Sequence, residues 1–442
     1  MIYTMPEVKK IDLKGGYSKV FKSFKISNRN NSVNNVEELL DLKFWDLKMQ
    51  NGSENDIKLN ILKLGPQPER LMEQQGYVLD ICEYEITISC GTNDGLINAL
   101  GTLKQIIKKK DKGFICELAK ITDWPSIEYR SLSTTFAWYA GYGRFGFDMQ
   151  LWSMKEWKQF INICSDYKLK GLRMRVWNPE SENWVEVEYM HPNVAEEFLP
   201  ELIKYGHKLG IKFFAYIGLN SYSGGYSNTY KNKRMKMPPN SKFINDFDSL
   251  CLSDPTTINY LKKSMRQIVA QGFDGIDFEE SEEAFWYCNC DKCKATFGKN
   301  ANTPEETLHA ANTELLKILY KELKDADPRI TIGIRAWRQP PLVRSDELIS
   351  EMVSSIPDDV VLFWAPGQYV EDTEFEKWVN AFGKDRIRAR DTEAMGFAAG
   401  LGRLIRPFRF NGLRCEEEPI TQYIEEDIRQ HRGSVKMGVA GI

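Results

Sequence analysis

From Tyr129 onward the sequence alternates short apolar runs with amphipathic segments, and that alternation restricts the fold more than any other feature. The apolar runs are Tyr129–Ala137, Gly171–Trp177, Ile211–Gly218, Phe273–Glu279, Ile330–Trp337, Val360–Ala365, Arg386–Arg390 and Val435–Ala440, eight in all. Helix-start signals fall between them. Ser153 and Glu156 have capping-box spacing ahead of Trp157, Phe160, Ile161 and Cys164. Asp254–Pro255 and Thr303–Pro304 with Glu306 open two further helices. Eight strands alternating with helices predict an α/β fold of the (β/α)8, TIM-barrel type. An open doubly wound sheet is the alternative, but no glycine-rich phosphate loop follows any of the runs. The chain ends at Ile442, directly after the eighth run. This reading therefore implies a truncated chain, or a barrel closed by another element or by a partner.

The fourth run leads into the densest chemistry in the chain, Gln271 to Cys293. Its apolar residues Phe273, Ile276 and Phe278 give way to Asp277, Glu279, Glu280, Glu282 and Glu283, and then to Cys288, Cys290 and Cys293. A barrel strand that ends in carboxylates places them on the C-terminal rim, where such folds carry their active sites. Successive strand residues point to opposite faces. Glu279 and Glu280 therefore share a site only where the backbone turns, and in a regular strand Asp277 pairs with Glu279, or Glu280 with Glu282. A solvated acidic loop is the competing reading.

Ahead of the alternation, residues 1–122 read as a small α+β domain, with the barrel over 123–442. Tyr77–Ile81 and Ile86–Cys90 are strands around a turn at Cys82–Glu85, and Asn93–Ile107 has helical spacing with Asn93 or Asp94 as cap. The basic run Lys108–Lys110 reads as the solvated last turn of that helix. Asn28–Asn35 and Asn51–Asn55 read as loops.

The net charge of −3 excludes a nucleic-acid binder, which needs an excess of Lys and Arg. The N-terminus lacks the apolar core of a signal peptide, and no stretch is long and apolar enough to span a bilayer. A cytoplasmic protein without membrane partners is expected. Six of the nine cysteines are scattered singly, as small buried hydrophobes are. Cys288, Cys290 and Cys293 are close enough to bind one metal, and a structural zinc needs a fourth ligand; Asp291, Cys415 and His309 are candidates. No cofactor is required for catalysis. None of the four histidines lies at the end of a barrel strand, and no HExxH spacing exists.

Several segments resemble glycoside hydrolase family 20, the β-N-acetylhexosaminidases. The opening PEVKKIDLKGG, the YVLDI–EITIS strand pair and GLINALGTLKQII are similar to that family's non-catalytic α+β domain, and ITDWPSIEYR is similar to its entry into the barrel. The family's strand-four Gly-Gly-Asp-Glu motif corresponds to Asp277, Phe278, Glu279 and Glu280. The resemblance implies substrate-assisted hydrolysis with retention at a terminal β-N-acetylhexosamine. Glu279 would orient the acetamido group that attacks the anomeric carbon, and Glu280 would protonate the leaving oxygen. The sequence departs from the family in three places: Glu279 replaces the Asp, RMRVWNP replaces the strand-two His-x-His, and SLSTTFAWYAGYGR follows Arg130, where Arg144 is the only nearby substitute for the second Arg.

Arg130, Asp277 and Glu282 complete the polar set for substrate binding. Trp177, Trp337, Trp364 and Tyr369, near strand ends, supply aromatic faces for a sugar ring, and ordinary packing is an equal reading for any one of them. The expected partner is a carbohydrate, and a homo-oligomer is compatible with the sequence. Two further readings stand beside the first: a carbohydrate-binding barrel without activity, and a glycosidase of other specificity whose two carboxylates act directly.

Overall fold

The computed structural model describes residues 2–47, 56–135, 152–176, 193–220, 236, 250–279, 288–299, 304–335, 346–364, 372–388, 429 and 432–441. Two compact units emerge. One comprises Met1–Arg130, Met154–Lys170 and Lys204–Ile211, the other Ser131–Ser153, Gly171–Ile203 and Lys212–Ile442.

The first unit is built on a mixed sheet. Its elements in chain order are β1 (Lys10–Tyr17), β2 (Ser23–Asn28), α1 (Val36–Lys43), β3 (Asp56–Lys63), α2 (Arg70–Gln75), β4 (Tyr77–Ile81), β5 (Glu85–Cys90), α3 (Asn93–Ile106), the hairpin β6 (Lys108–Lys110) and β7 (Gly113–Ile115), and β8 (Glu117–Asp123). The helix α4 (Met154–Asp166) also belongs to this unit. Six strands pair in the order β1-β8-β4-β5-β3-β2. The expected β4–β5 hairpin forms, antiparallel from Tyr77 opposite Cys90 to Ile81 opposite Ile86. Alternation along these strands buries Tyr77, Leu79, Ile81, Ile86 and Ile88 against Leu96, Ala99, Leu100 and Leu103 of α3. The cap of α3 is Thr92, one residue before the expected Asn93; its Oγ1 accepts from the Gly95 amide at 3.3 Å. Lys108–Lys110 is exposed as expected but is a strand, not a helical turn. Ile107 is already extended, and Asp111 takes a left-handed conformation (φ 51°) that turns the chain back into β7.

Buried ion pairs tie segments of this unit that are far apart in sequence. Lys43 Nζ is 2.9 Å from Asp166 Oδ1 and 2.7 Å from Ser165 Oγ, and Lys104 Nζ is 2.9 Å from Asp166 Oδ2. Lys168 Nζ is 2.8 Å from Asp123 Oδ2 and 3.1 Å from the Tyr77 hydroxyl. Burial outweighs the attraction of Asp166 and brings the Lys43 pKa down to about 8.

The second unit contains β9 (Ser131–Thr135), β10 (Gly171–Arg175), α5 (Leu199–Lys208, in part), β11 (Lys212–Gly218), α6 (Pro255–Ala270), β12 (Gly275–Glu279), α7 (Asp291–Phe297), α8 (Pro304–Ala326), β13 (Thr331–Arg335), α9 (Asp346–Ser355), β14 (Val361–Trp364) and α10 (Asp372–Phe382). The strands form one parallel sheet in the order β14-β13-β12-β11-β10-β9. Each connection carries its strand to the next sheet position, as the alternating sequence requires. Asp254 caps α6, its carboxylate accepting from the Thr256 amide at 2.9 Å, with Pro255 in the first turn. Tyr260, Leu261, Ser264, Met265 and Ile268 form the buried stripe of α6. One sheet face is apolar: Leu172, Met174, Ala215, Ile217, Ile276, Phe278, Ile332 and Ile334 are all buried. Among the described residues no helix is long and apolar enough to cross a membrane.

Six of the eight expected strands are present, and two are corrected. At the seventh position Lys384–Arg386 is a 3-10 turn, followed by a single parallel bridge between Ile387 and Leu362. At the eighth, residues 432–437 are helical; Gly438, with φ 72°, ends that helix, and only then does Gly441 donate to the Ile387 carbonyl at 3.1 Å. The run Val435–Ala440 thus holds the end of a helix and the start of an extended segment. Closure into eight strands is not seen among the described residues, and the observed unit is an α/β fold on a six-stranded parallel sheet.

Removing one partner of a buried ion pair leaves an uncompensated charge, so Asp166→Ala is expected to lower unfolding stability by roughly 3–5 kcal/mol. Arg329→Ala, which breaks an ion pair with Asp327 at a side chain 87% exposed, is expected to leave it unchanged. Urea unfolding of the two variants beside wild type checks both.

Candidate active site and cysteine cluster

The face of the parallel sheet opposite the apolar one carries charge. Alternation along β10, β11 and β12 puts Arg173, Tyr216 and Asp277 on it, and β13 and β14 add Gly333 and Phe363. The Arg173 guanidinium lies 5.1 Å from the Tyr216 ring centre and 4.8 Å from that of Phe363, against both aromatic rings. The rings themselves meet edge-on at 5.7 Å. Arg173 Nε is 4.0 Å from Asp277 Oδ2, long for an ion pair. Gly333 makes room for the carboxyl: a methyl there would collide with Asp277 Oδ1.

Asp277 is 4% exposed, and this environment raises its pKa from 3.8 to about 7. Burial is the dominant cause, and Arg173 and Arg388 offset it only in part. A carboxyl that titrates near neutrality is able both to give and to take a proton in that range. Asp277 lies at the level of Gly333 on one side and Tyr216 on the other, two residues before the end of β12. Glu279 is the last residue of that strand, paired with Gly218.

The other expected site residues are distributed as follows. The side chain of Glu279 and all of Glu280 and Glu282 lie outside the described residues, as do Trp177, Trp337, Tyr369 and Arg144. Trp364 ends β14, and its side chain lies outside them too. Arg130 belongs to the first unit, where its guanidinium donates to the carbonyls of Ile127, Glu128 and Lys168 and to Gln75 Oε1 at 2.6–3.0 Å. Arg173 was not among the expected residues, although its alternation with Arg175 along β10 was the signal that could have marked it.

The cysteine cluster has a member that sequence reasoning missed. The thiols of Cys251, Cys288, Cys290 and Cys293 all lie within 4.8 Å of one another, a set able to hold a metal ion. The fourth thiol is Cys251, not one of the expected Asp291, Cys415 or His309. Asp291 is exposed at the start of α7, and Cys415 and the His309 side chain lie outside the described residues. Cys251 escaped notice because it stands 39 residues before Cys290, alone, ahead of the Asp254–Pro255 cap. Around the cluster, the Lys236 amide donates to Cys288 Sγ and the Cys293 amide to Cys290 Sγ, both at 3.4 Å, and Ser253 Oγ is 3.0 Å from Cys293 Sγ. Hydrogen bonds from Cys251 and Cys293 favour the Cys288 thiolate. Cys90, Cys116 and Cys164 are of another kind: buried in apolar surroundings, their thiols are pushed up to about 12.

Residues 1–124 match the family described as Glycosyl hydrolase family 20, domain 2. Among curated proteins, no sequence matches at a significant level. Solved structures share the fold at low identity. The β-N-acetylhexosaminidase of Bacteroides fragilis is 14% identical with a TM-score of 0.61, over 87% of this chain and 74% of that one. An inactive variant of the family-20 exo-β-N-acetylglucosaminidase of Vibrio harveyi is 14% identical with a TM-score of 0.61, over 99% and 78%. The N-acetyl-β-hexosaminidase of Streptomyces plicatus is 13% identical with a TM-score of 0.56, over 86% and 72%. The chain thus shares its fold with these structures, and residues 1–124 match the family-20 domain 2.

The Asp277 shift has a definite sign. Between pH 3.8 and about 7 the folded chain holds a proton that the unfolded chain has lost. This contribution to stability therefore falls as pH rises through that window. Asp277→Asn should remove the slope, so that wild type loses stability relative to the variant from the acidic to the neutral end. Thermal unfolding of both proteins across the window tests this.

Proposed function

We propose that the chain is a glycoside hydrolase whose site lies at the C-terminal edge of the parallel sheet. The observation that carries this reading is β12: it ends in Glu279 at that edge, with the buried Asp277 two residues before it. The fold shared with family-20 structures supports the same class. On this reading the six strands belong to a (β/α)8 barrel over 123–442, after a non-catalytic α+β domain over 1–122. Strands seven and eight would begin where Ile387 and Gly441 continue the order beyond β14.

The substrate is a terminal β-N-acetylhexosamine, and its acetamido oxygen attacks the anomeric carbon. Glu279 orients that group. Glu280 gives its proton to the leaving oxygen as the glycosidic bond breaks, then takes one from the water that opens the cyclic intermediate. Trp177, Trp337, Trp364 and Tyr369 offer the sugar their ring faces, and Asp277 and Glu282 bind polar groups. We assign Arg130, with its donors engaged by acceptors of the first unit, to bracing the chain as it enters β9. The free thiols of all the described cysteines suit a reducing, cytoplasmic setting.

One observation favours a second reading. Asp277, titrating at about 7, and Glu279 stand two residues apart on β12, about 6.7 Å along the strand, so two carboxyls could act directly without the acetamido group.

Hydrolysis of aryl glycosides by wild type and Glu280→Gln separates these readings. Turnover of the N-acetyl-β-glucosaminide that falls at least about 100-fold in the variant, as expected for loss of a general acid, supports the first. Turnover confined to sugars without the acetamido group supports the second. A folded protein inert on every substrate in the panel overturns both.

A further inference from the structure

We propose that Cys251, Cys288, Cys290 and Cys293 bind one zinc ion as a closed tetrathiolate cross-link between the segment leading into α6 and the start of α7 with the residues just before it. The spacing of the sulfurs carries the assignment. Cys251 Sγ is 3.8 Å from Cys290 Sγ and 3.7 Å from Cys293 Sγ. A disulfide needs about 2.05 Å, and these thiols are free. With zinc–sulfur bonds of about 2.3 Å, the edge of a tetrahedron is about 3.8 Å, the separation seen here. Four soft sulfur donors in that arrangement suit zinc, and leave out the oxygen-seeking magnesium and calcium.

The surroundings are those of a metal-thiolate site. Three of the four thiols receive a donor or a hydroxyl from outside the set: the Lys236 amide at Cys288, the Cys293 amide at Cys290 and the Ser253 hydroxyl at Cys293. Such contacts spread the negative charge that four thiolates bring to one divalent ion. The Asn289 amide donates to the Lys236 carbonyl at 2.7 Å, which holds Lys236 against the cluster.

Four protein ligands leave no open coordination position, so the ion performs no step of catalysis and serves as a cross-link. Its place in the fold says what it links. Cys251 lies in the connection that follows β11, and the other three lie in the connection that follows β12. The ion therefore joins the two chains leaving the C-terminal edge of adjacent strands, one of them the strand of Asp277 and Glu279. The assignment holds whether or not the chain hydrolyses glycosides.

Metal analysis of the full-length protein, purified under reducing conditions from zinc-supplemented medium, tests it directly. The expected result is one zinc per chain, and exchange for cobalt that gives thiolate-to-cobalt charge transfer and the intense visible bands of a tetrahedral site. Cys251→Ser should abolish stoichiometric zinc. Ser253→Ala keeps all four ligands and should weaken zinc at least about 10-fold in competition with a chelator. If Cys251→Ser fails to fold, Ser253→Ala and the cobalt spectrum of wild type still decide. A folded wild type without zinc that takes up no cobalt would overturn the proposal. So would iron in place of zinc, or a peptide map showing Cys251 in a disulfide under the same conditions.

Discussion

Parallel pairing of β9 to β14 imposes a demand that the rest of the second unit answers. Strands joined in this way are covered on both faces, so every side chain along them must find either an apolar neighbour or a partner for its charge. One face meets the demand with Leu, Ile, Met and Phe. The other holds Asp277, and the cost of burying a carboxylate there is met in three ways: two arginines nearby, two aromatic rings that fix Arg173, and a raised pKa that leaves the group partly neutral. Gly333 belongs to the same solution, because only a residue without a side chain leaves space for the carboxyl on the neighbouring strand. A charge kept at this expense in a sheet interior marks a functional position more strongly than the exposed acids of a loop would.

The first unit uses buried charge differently. Lys43, Lys104 and Lys168 each reach a carboxylate from a segment far along the chain, and the hydrogen bonds of Arg130 end on three backbone carbonyls and the Gln75 side-chain oxygen. These groups hold segments together, and burial perturbs both units, lowering the Lys43 pKa to about 8 and raising that of Asp277 to about 7. Perturbed pKa values alone thus do not distinguish the two units. The partners do, since lysines in closed pairs brace the fold and Asp277 keeps a long, partial contact.

The cysteine cluster acts at a third scale. Its members span 42 residues from Cys251 to Cys293, and a cross-link of that length removes about 4 kcal/mol of loop entropy from the unfolded chain in the chain-entropy view. The strands themselves are held by backbone hydrogen bonds, and a cross-link between the connections would add a tie that the sheet does not supply.

Much of this was legible in the residues. Alternating apolar runs located β9 to β14, Asp254–Pro255 and Pro304 marked helix starts, and the pattern at Tyr77–Cys90 located a hairpin, because local periodicity and capping are short-range properties of a sequence. The acid-bearing strand and the Cys288–Cys293 cluster were visible for the same reason. The end of the chain was misread where Val435–Ala440 combined apolar content with a left-handed glycine that divides a helix from an extended segment. Only the tertiary structure brought Cys251 to the other three thiols and Arg173 against Tyr216 and Phe363, and only burial turned Asp277 from one acid among five into a group poised near neutrality. Those are properties of what packs against a residue, and a sequence states what a residue is without stating what will surround it.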